Sequence, residues 1–263
     1  MLRRLGVFGW PVAHSRSPAM HAAALAAAGL EGWTYQRLPV PPPLFTETAR
    51  ALGGARFRGA NVTIPHKEAA LALADAATPA AREIGAANTL TYGEDESIHA
   101  DNTDAPGLLD ALAGRPQASA VVLGAGGSAR AVVWALRSAG ADVRIWNRTP
   151  ERAAALGVEV LPAAGPLPPA DVLVNCTSVG LGDPSTTFKD LPLDPDAMTT
   201  YATVVDLVYR PGGTPLELAA RERGVTVVGG LEILVRQGAR SFTAWTGRQP
   251  DLAVMRTAVA DPP

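Results

Sequence analysis

Lysine is scarce in this chain: of 23 basic residues only Lys67 and Lys189 are lysines, and the rest are arginines. Arginine keeps its proton at any working pH, whereas a lysine in suitable surroundings can release and recover one, so a position that must transfer a proton cannot accept the exchange. Lys67 closes the run Asn61-Val62-Thr63-Ile64-Pro65-His66-Lys67, while Lys189 lies in a stretch rich in proline and aspartate. Lys67 is therefore the candidate acid–base group. The five asparagines, Asn61, Asn88, Asn102, Asn147 and Asn175, each have a threonine one or two residues further on. Such pairs organise turns at strand ends, and they can equally reach out to a polar ligand.

A second chemical signal is the run Gly124-Ala125-Gly126-Gly127-Ser128-Ala129. Glycines at the first and third places, with a small residue three further on, let a backbone approach a pyrophosphate and turn a helix N-terminus toward its charge. The pattern alone is weak, but here the apolar run Ala118 to Leu123 precedes it and an amphipathic stretch to Ala139 follows. A strand, a glycine turn, a helix and the next strand at Asp142 to Trp146 make one βαβ unit that binds a dinucleotide. At the end of that next strand, where a carboxylate for the ribose hydroxyls is usual, stand Asn147-Arg148-Thr149, with Arg152 beyond. Two guanidinium groups and a hydroxyl suit a 2'-phosphate, which a carboxylate would repel, so the expected cofactor is NADP.

These groups need a frame. Leu5 to Phe8 reads as a buried strand, followed by a helix to Ala28 with Ser17 as N-cap, Pro18 at its start and Gly29 as its stop. Further strands are expected at Tyr35 to Val40 and Ala60 to Thr63, with helices after Pro43 and from about Lys67. After the helix Leu108 to Leu112 and the βαβ unit, strands follow at Val158 to Leu161, Val172 to Cys176, Val204 to Leu207 and Val225 to Val228. Residues Gly182 to Pro195 read as a long polar loop. Leu231 to Trp245 and Leu252 to Ala258 read as helices that return to the N-terminal part. Alternating strands and helices predict an α/β fold with a doubly wound sheet of about six strands in the second half.

Composition sets the outer bounds. The chain has 263 residues, enough for two domains of ordinary size, with 23 basic against 25 acidic residues. That balance leaves no global field to hold a nucleic-acid backbone. The single cysteine, Cys176, excludes an internal disulfide and reads as a buried strand-end residue. His14, His21, His66 and His99 read as structural and show no metal-ligand spacing, so no metal is expected. No apolar run reaches the ~18 residues a membrane helix needs. Pro11 and the polar residues His14, Ser15 and Arg16 interrupt the only segment that could begin a secretory signal, which gives a cytoplasmic, soluble reading with no membrane partner.

With these runs in view, the chain resembles the shikimate dehydrogenases over essentially its whole length. The ordered matches include Ser15-Arg16-Ser17, Asn61 to Lys67, Gly85-Ala86-Ala87-Asn88-Thr89, Asn102-Thr103-Asp104 and the Gly124 to Ala129 turn. They continue with Asn147-Arg148-Thr149, Asn175-Cys176-Thr177-Ser178, Asp206-Leu207-Val208-Tyr209 and Gly230 to Gln237. The resemblance implies a substrate-binding α/β domain over residues 1–101 plus 238–263 and a Rossmann NADP-binding domain over 102–237. It implies Lys67 and Asp104 as catalytic residues, Ser15 and Ser17 on the substrate carboxylate, and Thr63, Asn88, Asp104 and Gln237 on the ring hydroxyls. Tyr209 is implied near the carboxylate, and the backbone around Leu207 and Gly230 near the nicotinamide. The implied reaction is reversible NADPH-dependent reduction of 3-dehydroshikimate to shikimate by a monomer or homodimer. Ile233 stands where the family often has methionine. A quinate-accepting dehydrogenase, a methylenetetrahydrofolate dehydrogenase-like enzyme and an inactive NADP sensor remain as rivals. Arg148 and Arg152 count against the NAD use of the first. A 5% aromatic content counts against the stacking site of the second, and the intact Lys67 and Asp104 count against the third.

Overall fold

In a computed structural model, which describes residues 2–260, the chain forms two units: residues 2–107 with Leu234–Ala260, and Leu108–Ile233. In chain order the first unit begins with β1 (Arg3–Gly9), α1 (Ser17–Ala27), β2 (Trp33–Pro39), α2 (Phe45–Ala51), β3 (Phe57–Val62) and α3 (Lys67–Leu73). It continues through β4 (Ala76–Ala77), α4 (Pro79–Ile84), β5 (Thr89–Tyr92) and β6 (Ile98–Asp101) to α5 (Asp104–Leu112). The second unit contains β7 (Ser119–Leu123), α6 (Gly127–Ser138), β8 (Asp142–Trp146), α7 (Pro150–Ala154), β9 (Glu159–Val160) and β10 (Ala170–Asn175). It ends with α8 (Thr187–Asp190), β11 (Tyr201–Asp206), α9 (Pro215–Glu222) and β12 (Thr226–Val228). The last helices are α10 (Gly230–Thr246) and α11 (Leu252–Val259).

The division between the units falls inside α5 and α10, whereas the motif pattern set it at 101/102 and 237/238. Asn102, Thr103, Asp104 and Gln237 consequently belong to the first unit. Residues 1 and 261–263 of the expected first domain lie outside the described residues.

The first unit is built on a mixed sheet in the order β2-β1-β3-β5-β6-β4. β1 runs parallel to β2 and β3, while β5 is antiparallel to both β3 and β6. Leu5 through Gly9 are all buried, as a central strand covered on both faces requires. One core cluster joins Phe8, Phe45, Val62, Leu90 and Ile98. Helix α11 packs on α1, so the chain end does return to the N-terminal part. One expected detail changes. The N-cap of α1 is Arg16, not Ser17, because the Arg16 carbonyl already accepts the Met20 amide (3.1 Å) and so begins the helix one residue earlier. Gly29 ends this helix with φ +63°.

The second unit carries a six-stranded sheet, β12-β11-β10-β7-β8-β9, in which every pairing is parallel. Counted from β7 as the first strand, this is the 3-2-1-4-5-6 order of a doubly wound sheet. Its switch point lies between β7 and β10, the place where such sheets bind ligands. The expected strand at Val158 to Leu161 shrinks to β9 (Glu159–Val160). The loop from Gly182 to Pro195 is not purely polar: Thr187, Leu191 and Leu193 are buried, the two leucines in one core cluster with Leu173 and Val204. Among the described residues no helix is long and apolar enough to cross a membrane.

Candidate active site

In the first unit four segments meet at one buried polar cluster. Lys67 opens α3 and Asp104 opens α5, and the Lys67 Nζ donates to Asp104 Oδ2 at 2.7 Å with side chains only 10% and 17% exposed. Asn102 prepares the second of these positions: its Oδ1 accepts the amides of Asp104 (3.1 Å) and Ala105 (3.3 Å) and so caps α5. The N-terminal end of a helix also favours the negative charge of Asp104.

Asn88, at the start of the β5 strand region, fixes the other carboxylate oxygen. Its Nδ2 donates to Asp104 Oδ1 (2.8 Å) and to Gln237 Oε1 (3.1 Å). Its Oδ1 accepts the Thr103 backbone amide at 2.7 Å. A backbone N–H can only donate, so that bond decides which end of the Asn88 amide faces Asp104. Gln237 comes close because α10 passes over Gly107, where a side chain would meet the Gln237 nitrogen at 2.9 Å. The Gln237 Nε2 donates to the Leu234 carbonyl (2.9 Å), which leaves its second hydrogen for a ligand.

Ser15, in the turn before α1, and Ser17, the first residue of α1, are both buried, and the Ser17 amide donates to Ser15 Oγ (3.3 Å). Arg37 donates to the Ser15 carbonyl at 2.7 Å, so this turn carries a full positive charge that the serine pair alone did not reveal. Thr63 follows β3, is half-buried, and its hydroxyl has no partner among the described residues. The structure therefore joins Lys67, Asp104, Asn88 and Gln237 in one network and Ser15 with Ser17 in a second, while Thr63 bonds to neither.

Beneath the network lie polar residues that the sequence reading did not count as site residues. Asn61 Nδ2 donates to Ser241 Oγ (2.8 Å), and Thr103 shares contacts with Asn88, Gln237 and Ser241. Thr103 and Asn61 stood inside recognised motifs, but a single serine on an amphipathic helix gives no signal. Among the described residues no three His, Cys, Asp or Glu side chains gather as a metal site would require.

In the second unit the glycine turn sits at the switch point. Gly124 has φ +103°, and a side chain there would crowd the Cys176 carbonyl carbon at 3.2 Å, so β7 and β10 can end side by side only over a glycine. A side chain on Gly126 would meet nothing within 4 Å, and Gly126 caps the twelve-residue α6 without a side-chain hydrogen bond. The first turn of α6, with the amides of Gly127, Ser128 and Ala129, thus opens without a side-chain cap, as a pyrophosphate cradle requires. Ala125 and Ala129 are buried beneath the turn.

Arg148 and Arg152 are exposed, and neither guanidinium has a hydrogen-bond or ion-pair partner among the described residues. Asn147 serves the turn itself, its Nδ2 donating to the Thr149 carbonyl (2.7 Å). Thr149 stands at the N-cap of α7 with no side-chain cap bond. Leu207 and Gly230 lie together: a side chain on Gly230 would meet the Leu207 and Val208 carbonyl oxygens at 2.7 Å. Tyr209, two residues after Leu207, is half-buried. These groups fit a dinucleotide bearing a further phosphate.

A doubly wound sheet with a glycine turn at its switch point, in a chain that also holds a buried lysine–carboxylate pair, defines a nicotinamide-dependent oxidoreductase. Residues 7–90 match the family described as the shikimate dehydrogenase substrate binding domain, and residues 230–260 match the shikimate 5'-dehydrogenase C-terminal domain. The chain is 48% identical to a shikimate dehydrogenase (NADP(+)) of Methylobacterium radiotolerans, over 94% of this chain and 92% of that one. It is 48% identical to a shikimate dehydrogenase (NADP(+)) of Thermus thermophilus, over 97% of each chain. A solved structure of shikimate 5-dehydrogenase from another strain of Thermus thermophilus, in complex with NADP(H) and shikimate, superposes with a TM-score of 0.86. It is 44% identical, and the match covers 98% of both chains. The chain belongs to the shikimate dehydrogenase family.

Proposed function

We propose that this protein interconverts 3-dehydroshikimate and shikimate with NADP, and that Lys67 is the acid–base residue of that reaction. The observation that carries the reading is the buried Lys67–Asp104 pair, tied through Asn88 to Gln237. NADP, when bound, gives or takes a hydride at the nicotinamide C4. In the direction of reduction the Lys67 ammonium donates a proton to the C3 carbonyl oxygen as it becomes a hydroxyl. In oxidation the Lys67 amine removes the hydroxyl proton. Asp104 holds the ammonium in place and accepts a ring hydroxyl.

Asn88, Gln237 and Thr63 bind the remaining hydroxyls. Ser15 and Ser17 hold the substrate carboxylate, aided by the nearby Arg37 charge, and Tyr209 contributes to the same end of the substrate. This division matches the chemistry of the ligand, which has one carboxylate and three hydroxyls and so asks for amides, hydroxyls and carboxylates rather than aromatic faces.

The cofactor is held by the Gly124 to Ala129 turn at its pyrophosphate. Arg148 and Arg152, with Asn147 and Thr149, take the 2'-phosphate, and the backbone at Leu207 and Gly230 flanks the nicotinamide. We place the protein in the cytoplasm, acting on small molecules without nucleic acid or membrane as partner, as a monomer or homodimer. The test follows nicotinamide absorbance in four reactions, shikimate or quinate with NADP or NAD. Reduction with shikimate and NADP, with little in the other three, is expected. Comparable turnover of quinate or comparable use of NAD refutes the assigned specificity, and no turnover in any of the four refutes the function.

A further inference from the structure

Asp206 ends β11 and is fully buried, and its carboxylate is held by three separate segments. Oδ1 accepts Asn175 Nδ2 (2.9 Å) from the end of β10 and the backbone amide of Val208 (3.0 Å). Oδ2 accepts the Thr214 hydroxyl (2.6 Å) at the N-cap of α9. Thr214 is itself locked in a reciprocal cap: its Oγ1 accepts the Glu217 amide (3.1 Å) and the Glu217 carboxylate accepts the Thr214 amide (3.3 Å). Glu217 is buried as well, and a side chain on Gly229 would meet its Oε1 at 2.5 Å.

The segment Leu207 to Gly213 between these anchors contains Pro211 and two glycines at positive φ, +77° and +91°, and has no regular structure. Left to itself, such a segment would sample many conformations. Two buried carboxylates, Asp206 and Glu217, instead tie both of its ends, and the Gly230 backbone closes against the Leu207 and Val208 carbonyls. Of the nearby cations, Arg221 pairs with Glu217 at 3.7 Å and Arg210 donates to the Gly180 carbonyl at 3.4 Å, and neither pairs with Asp206. Burial pushes the Asp206 carboxyl up to about 7 even though three donors hold it, so keeping a carboxyl there is costly, and capping one helix needs only the threonine. The arrangement therefore points to a geometric task at the Leu207–Val208 backbone.

We infer that Asp206 and Thr214 are positioning residues for hydride transfer, setting the Leu207–Val208 and Gly230 backbone against which the nicotinamide ring lies. This rests on the placement of the nicotinamide in the proposed function. The variants are Thr214→Val, which removes the hydroxyl at nearly constant shape, Thr214→Ser, which restores it, and Asp206→Asn. Four readouts are compared with the unaltered enzyme: kcat, NADP affinity by calorimetry, thermal midpoint, and the isotope effect with shikimate deuterated at C3.

Thr214→Val and Asp206→Asn should lower kcat at least tenfold and raise the isotope effect. NADP affinity should stay within about threefold, because the adenine half is held elsewhere, and Thr214→Ser should recover kcat to within twofold. A lowered thermal midpoint with kcat of the folded variants within twofold makes the pair merely structural and overturns the inference. So does a loss confined to NADP affinity. Normal turnover of the unaltered enzyme alongside unaffected variants sinks the inference alone, whereas no turnover of shikimate by the unaltered enzyme sinks the proposed function with it.

Discussion

Lys67 and Asp104 stand 2.7 Å apart at the first turns of two different helices, although 37 residues separate them in the chain. Neither position is held by the pair alone. Lys67 is fixed by the α3 start after β3, and Asp104 by the Asn102 cap and the Asn88 amide. A charge pair this buried is a poor stabiliser, since desolvation cancels much of the attraction. Its presence at the head of two helices is better explained by chemistry.

Asp104→Asn keeps the shape of that side chain and removes its charge. With the ammonium of Lys67 no longer held by a carboxylate, kcat should fall by about 10²–10⁴. NADP affinity should hardly change, because the cofactor groups lie in the other unit. Steady-state kinetics and cofactor binding measured on the same preparation check this, and a kcat within threefold of normal would remove Asp104 from the mechanism.

Arg148, just before α7, and Arg152, within it, carry guanidinium groups with no hydrogen-bond or ion-pair partner among the described residues. Replacing both with alanine should raise KM for NADP by about tenfold or more for each charge-assisted bond lost, and leave use of NAD nearly as it was. Equal losses with the two cofactors would show that the arginines do not read the 2'-phosphate.

His21 provides a pH test of the fold. It is fully buried, its ring stacked on Tyr35 at 4.4 Å, and neither ring nitrogen makes a hydrogen bond of ordinary geometry among the described residues. Burial holds its pKa down to about 3 from 6.5, and the neighbouring Asn61 side chain offsets this only slightly. Between those values the unfolded chain takes up a proton that the folded chain refuses. Stability is therefore complete above pH 6.5 and lost as the pH falls toward 3, with about 2 kcal/mol gone by pH 5. His21→Phe keeps the stack and abolishes the titration, so the unfolding free energy of the natural chain should lose about 2 kcal/mol more than the variant between pH 7 and pH 5. Parallel pH profiles would contradict the buried, neutral state of His21.

Much of this architecture was legible in the residues. The scarcity of lysine singled out Lys67, and the strand, glycine turn and helix around Gly124 announced the doubly wound sheet through local backbone demands that only glycine meets. The region from Ala74 to Asp101 was not legible. Its strands β4, β5 and β6 have two, four and four residues, too few for an alternating pattern to emerge, yet β5 begins beside Asn88. Leu191 and Leu193 were hidden inside a polar-looking loop because burial there depends on partners distant in the chain. The burial of Asp206 was equally hidden, because an acidic residue at a strand end is usually exposed, and only the Thr214, Val208 and Asn175 donors around it show how it is held inside.

The most direct measurement compares the unaltered protein with Lys67→Ala for NADP reduction by shikimate, with NADP binding and the thermal midpoint recorded for both. The unaltered protein should turn over, and the variant should lose about 10²–10⁴ in kcat while binding NADP within about threefold and remaining folded. A folded variant with comparable turnover would contradict the assignment of proton transfer to Lys67.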